Sequence, residues 1–367
     1  MPKNLYASLA LMTWLCVFAT PVWAQSFLPE DKNKFVILAY SRIGEDRLPD
    51  QSLTKQQFDE HVNEILSGNY HVTSLEKALD ALNSDSGMPE NTIVLTFDGA
   101  YASAAEYAFP KLTKARIPFT VFYAGSTLDR KDAEFTDWAT LKKLAANNTV
   151  TLASLPAVYD HTAYADKVEI LKNINRARQY HREYFKRETD FLSYPYGEYS
   201  TELQEIGRTQ GFKAAVGMHS GVVHAGTDRF ALPRFSMTEH FGSIDRFRMA
   251  ARALPLPFSE LEPKDMKLGD SKFKAGFTLP ESLKNPISCY VDGKQDQNLE
   301  RLGQRVEIRP EDDYLNETRI RMNCTMQGPK NDDDQETWRW LGLLFHRAPL
   351  ETEVNTPQQD EPLPPLE

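Results

Sequence analysis

Short, continuous apolar runs that alternate with amphipathic stretches constrain this chain more than any other feature. Phe35-Val36-Ile37-Leu38-Ala39-Tyr40 and Thr92-Ile93-Val94-Leu95-Thr96-Phe97 have no polar alternation, which marks strands covered on both faces and so a parallel sheet. Between them, Thr54-Lys55-Gln56-Gln57 is a capping-box pattern, and Phe58, His61, Val62, Ile65 and Leu66 recur at helical spacing until Gly68. Tyr70-His71-Val72 and a helix from Leu75 to Leu82 follow, and Gly87-Met88-Pro89 breaks the chain. The rhythm continues with helices predicted over Tyr101 to Lys114, Asp137 to Ala146, Tyr164 to Phe185 and Thr201 to Thr209. Their partner strands are Phe119 to Tyr123, Val150 to Ala153, Phe191 to Tyr194 and Lys213 to Val216. Repetition of this kind predicts an α/β domain over residues 25–254, a barrel in preference to a doubly wound sheet.

From Lys264 the pattern changes to short alternating strands: Phe273 to Leu279, Ser288 to Val291, Arg305 to Arg309, Arg319 to Thr325 and Trp338 to Phe345. Residues 264–348 therefore read as a small β-sandwich. Trp338 and Trp340 share a strand face there, as core or, less simply, as a sugar platform. Asp332-Asp333-Asp334 reads as a solvated hairpin loop. Residues 349–367, rich in Pro and acids, read as a disordered tail.

The first 24 residues carry Lys3 and then a largely apolar run from Leu9 to Thr20, with Val22-Trp23-Ala24 ahead of Gln25. This is the pattern of a cleaved secretory signal, with a retained anchor helix as the alternative. The expectation is an exported protein, periplasmic or extracellular, that does not span a membrane once the signal and Cys16 are lost. Two cysteines remain, Cys289 and Cys324, and export favours one disulfide between them over two buried thiols. A net charge of -10 speaks against nucleic acid as a partner.

One candidate for chemistry stands at a strand end, where Leu95-Thr96-Phe97 runs into Asp98-Gly99-Ala100-Tyr101. In a barrel this is where chemistry is placed, although Asp-Gly alone reads more readily as a turn. Thr96-Phe97-Asp98 with Tyr101-Ala102-Ser103, and the later Tyr194-Pro195-Tyr196-Gly197, resemble two signature motifs of the polysaccharide deacetylases, the NodB-homology enzymes of carbohydrate esterase family 4. Ile117-Pro118-Phe119-Thr120 and Leu232-Pro233-Arg234-Phe235 also look like this family, so the resemblance covers about Phe35 to Arg248. It implies a NodB-like distorted (β/α) barrel, followed here by the small C-terminal β-sandwich. It also implies hydrolysis of acetyl groups on a sugar polymer, with one Asp and two His holding a divalent metal and a separate Asp as base.

The resemblance places Asp98 at the base position and Gly99 at that of the Asp ligand, with Leu155 and Tyr159 where the two His belong. Gly and Leu have no donor atom, and a neutral Tyr is a poor ligand beside imidazole. The expectation is a pseudoenzyme with no cofactor, since Asp98 alone cannot supply what a metal does to bound water. The alternative is an active deacetylase using zinc or another divalent metal on shifted ligands, with Asp160, His161, His181, His219 and His224 as candidates. A silent member would still bind a polysaccharide or oligosaccharide through Tyr101, Trp138, Tyr159, Tyr194, Pro195 and Tyr196 around the barrel mouth. Two other readings are an interaction subunit with an envelope protein partner and a glycosidase pairing Asp98 with Glu198.

Overall fold

The computed structural model describes residues 27–84, 87–161, 165–295, 298–312, 314–331 and 334–348. The leader expected over 1–24, the tail over 349–367, and Asp332 and Asp333 of the acidic run lie outside the described residues.

The apolar runs form the expected parallel sheet. Lys34–Tyr40 pairs with Thr92–Asp98, which pairs with Phe119–Tyr123, then Val150–Ser154, Phe191–Ser193 and Ala214–Val216, every one of these pairings parallel. The segment after the last strand bridges the two ends of the sheet. Leu232 bridges to Val216, and Phe235–Ser236 pairs in parallel with Leu38 and Ala39 of the first strand. The sheet therefore curls into a barrel stitched by residues 232–236.

Parity along each strand sorts the side chains. Val36, Leu38, Ile93, Leu95, Phe97 and Val121 point outward into one core shared with the helices Lys55–Ser67, Ala102–Lys114 and Ile244–Ala251. Phe35, Ile37, Val94, Phe122, Ala153 and Phe191 fill the barrel interior. The helices form where their caps predict. Thr54 accepts the Gln57 N–H at 3.1 Å while Gln57 accepts the Thr54 N–H at 3.2 Å, and Asp137 caps Trp138–Ala145 through the Thr140 N–H. Leu66, counted in the apolar stripe, is instead 59% exposed, because the stripe turns away from the sheet before Gly68.

The sandwich consists of a five-stranded and a four-stranded sheet. Its sheets begin earlier than Lys264, recruiting Leu254–Pro255 and Ser259–Glu262. Lys294–Gln295 and Leu299–Leu302 are further strands that short polar stretches hid in the sequence. Cys289 and Cys324 are directly opposed on antiparallel strands and form a disulfide. Trp338 and Trp340 do share a face, but not the sandwich core: Trp338 is exposed, and Trp340 packs on Phe235 of the barrel with its indole N–H 2.8 Å from Ser220 Oγ. Gly342 sits against Ser220 with no room for a Cβ, and Gly221 bridges to Leu341. The outer face of the Arg319–Gln327 and Trp338–His346 strands is thus docked on the barrel loop around Ser220.

Candidate site at the barrel mouth

Inward parity carries Val94 and Thr96 to Asp98, the last residue of its strand, so the carboxyl faces the barrel axis. It does not reach solvent. Asp98 is 1% exposed and is gripped by Arg234, itself 0% exposed, through two parallel contacts: Nη1 to Oδ1 at 2.7 Å and Nη2 to Oδ2 at 2.7 Å. Ser193, inward-facing on its own strand, donates to Oδ2 at 2.9 Å. Arg234 is in turn fixed by Nε donation to the Gly217 carbonyl at 2.7 Å and by contacts to Thr96 Oγ1 and Ser193 Oγ. The barrel-closing segment thus delivers a guanidinium whose fork matches the carboxylate, the strongest geometry such a pair can adopt.

The positions at which the resemblance places metal ligands are Gly99, Leu155 and Tyr159. Gly99 has φ +94°, and a Cβ there would collide with the ring of Tyr101, which is itself covered by the Arg42 guanidinium 3.7 Å from its centroid. Leu155 is fully buried in the barrel interior. Burial, and then the charge of Asp98, push the Tyr159 phenol well above its ordinary value, so it stays protonated. Among the described residues, no three His, Cys, Asp or Glu side chains cluster to hold a metal ion.

Asp160, His161, His181 and His224 already have hydrogen-bond partners. His181 Nδ1 is 2.8 Å from the Tyr123 hydroxyl on the outer side of the sheet, and burial brings its pKa down to about 4. His219 is likewise held at about 4 by burial, and His224 Nδ1 accepts the Gly226 N–H. Asp160 accepts the N–H of His161, and the His161 ring meets Glu198 at 2.8 Å. Glu198, the glycosidase candidate, is 1% exposed between His161 and Arg319.

A cavity of about 480 Å³ opens at the barrel mouth. Tyr101, Tyr159 and Tyr196 line it. Tyr196 adopts φ 56°, and Gly197, at φ 76°, has Met218 where a Cβ would sit; this strained turn stacks the Tyr196 ring on Tyr159 at 5.1 Å and on His161 at 4.2 Å. Two expected members of the aromatic ring are elsewhere. Tyr194 follows inward-facing Ser193 and so points outward, buried with its hydroxyl on the Phe230 carbonyl. Pro195 is buried beside it. Trp138 opens a helix on the barrel exterior, stacked on Tyr184 at 3.6 Å. What motif reading overlooked is basic: Arg42, Arg130, Arg319 and Arg321 also line the cavity, the last two contributed by the sandwich.

The sequence profile described as polysaccharide deacetylase matches residues 85–215. Residues 85–215 therefore carry a polysaccharide deacetylase domain. YxkH of Bacillus subtilis strain 168, named for the same family, is 23% identical over 225 residues, 59% of this chain and 74% of its own length. A poly-beta-1,6-N-acetyl-D-glucosamine N-deacetylase of Staphylococcus aureus is 19% identical over 219 residues, 56% of this chain and 74% of that protein. Among solved structures, the Streptococcus pyogenes deacetylase PplD superposes with a TM-score of 0.54 at 18% identity, over 59% of this chain and 98% of that one. IcaB from Ammonifex degensii gives 0.53 at 22% identity, over 60% and 98%. These superpositions establish the NodB-like α/β fold of the barrel. Among the described residues no helix is long and apolar enough to cross a membrane.

Proposed function

We propose that this chain is an exported member of the family that binds an acetylated polysaccharide at the barrel mouth and does not hydrolyse it by the metal-dependent route. The observation that supports this most is the state of Asp98: both carboxylate oxygens are taken by Arg234. A general base needs a lone pair facing a water molecule, and Asp98, 1% exposed and gripped by Arg234, gives water little approach. The collision that any side chain at Gly99 would have with Tyr101, and the apolar burial of Leu155, argue in the same direction, because the polarising cation has no seat. What remains at the mouth is three tyrosines and polar groups around a concave surface, the composition of a sugar-binding site.

The test combines metal analysis of purified protein, acetate release from acetylated chito-oligosaccharides and peptidoglycan fragments, and calorimetric binding of the same ligands. The expected result is no stoichiometric divalent metal, no acetate above the buffer control and saturable binding. Acetate release stimulated by added zinc would refute the silent site and restore the alternative of an active deacetylase on shifted ligands.

A further inference from the structure

Arg319 and Arg321 are alternate residues of the Arg319–Gln327 strand, on the face turned away from the sandwich interior and toward the barrel mouth. They are not equivalent. Arg319 is neutralised, with Nη1 2.9 Å from Glu198 Oε1 and Nη2 donating to the Tyr196 carbonyl at 2.8 Å. Arg321 donates from Nη1 to the Met218 carbonyl at 3.1 Å, and among the described residues its guanidinium is in no ion pair. Asp292 accepts the backbone N–H of Arg321 at 2.7 Å rather than its side chain.

Arg321 is open to the cavity, yet protein atoms crowd around it. Desolvation and the like charge of Arg319, opposed by the charge of Asp292, bring its pKa down to about 10, so it remains a cation at neutral pH. Across the cavity Arg42 is committed to Glu45 and Glu134, while Arg130 is in no ion pair among the described residues. The cavity lining also holds Asp50 and Asp132, neither of which is in ion-pair contact with Arg130 or Arg321 among the described residues. Arg321 is exposed at the cavity wall with no carboxylate in ion-pair contact among the described residues, so its charge is available to a ligand that carries an anion.

The geometry points to an acidic glycan as the occupant, with Arg321 receiving an oxyanion carried by the sugar chain, a uronate carboxylate or a sulfate or phosphate ester. This rests on the glycan-binding reading and narrows it. Guanidinium and oxyanion match in fork geometry, and Arg130 on the opposite wall offers a second contact.

Calorimetric titration of polyuronate oligomers, sulfated glycosaminoglycan oligomers and neutral chito-oligosaccharides into the wild type, Arg321→Gln and Arg321→Lys tests it. The acidic oligomers bind more tightly than the neutral one and lose affinity as salt rises. Arg321→Gln weakens them about ten- to hundredfold and leaves neutral binding unchanged, while Arg321→Lys keeps part of the gain. Preference between uronate and sulfate identifies the source of the charge. Equal affinity for acidic and neutral oligomers, unaltered by Arg321→Gln, overturns the inference and leaves the glycan reading standing. Binding of free glucuronate or inorganic sulfate that Arg321→Gln abolishes, with no acetylated oligomer bound, supports an anion site at Arg321 and overturns the glycan reading. If the wild type binds no anion, the inference is wrong.

Discussion

Replacing Arg234 with Met is the sharpest perturbation of this molecule. The change keeps a linear side chain in a site that is 0% exposed, but strips Asp98 of both guanidinium contacts and leaves it only the Ser193 hydroxyl. It also removes the donor to the Gly217 carbonyl. Breaking a buried pair from one side costs about 3–5 kcal/mol, because the surviving charge stays desolvated. For a barrel of this size that is a melting-temperature drop of roughly 6–20 °C. Thermal and urea denaturation followed by circular dichroism measure it, and Asp98→Asn closes a double-mutant cycle. The two single changes should exceed the double variant by more than about 1 kcal/mol in summed cost, since the second substitution removes the stranded charge. A single variant within about 1 kcal/mol of wild type, or additive effects, would refute the claim that this pair anchors the barrel top.

Acid should weaken the fold before the carboxylates titrate. Burial holds His61, His181 and His219 at about 4, below the ordinary 6.5, so the unfolded chain takes up more protons between those values and stability falls as pH drops from about 6.5 to about 4, by at most about 3 kcal/mol for each histidine. Urea midpoints at pH 7 and pH 4.5 should show the loss, and a flat profile would contradict it. The disulfide between Cys289 and Cys324, 35 residues apart, should contribute about 3–4 kcal/mol by restricting the unfolded chain; an unchanged denaturation curve after reduction or in Cys289→Ser/Cys324→Ser would dispute that.

Much of the barrel could be read in advance because its rules are local. Uninterrupted apolar runs require burial on both faces, and Thr54 and Asp137 cap helices through residues a single turn away. The site was less legible because parity and distance decide it. A run such as Phe191-Leu192-Ser193-Tyr194 does not announce which residues look inward; the structure sends Ser193 to Asp98 and Tyr194 to the opposite side. Trp138 lies at a helix start, where sequence spacing cannot tell the barrel mouth from the barrel flank, and its stacking on Tyr184 is a tertiary choice. Arg234 was visible as part of a familiar segment, but nothing local links it to a carboxylate far upstream. Arg319 and Arg321 alternate on a strand whose outer face docks on the loop around Ser220, a tertiary placement that strand periodicity alone does not reveal.

The segment that stitches the barrel shut also carries the charge that balances the buried Asp98, and the two residues are 136 positions apart. During synthesis from the N-terminus, the first strands emerge with Asp98 lacking its counterpart, and the top of the barrel stays hydrated until residue 234 has left the ribosome. Closing the cylinder and pairing Asp98 therefore both depend on the same segment, and a chain truncated just before residue 234 should lose the cooperative unfolding transition of the full barrel.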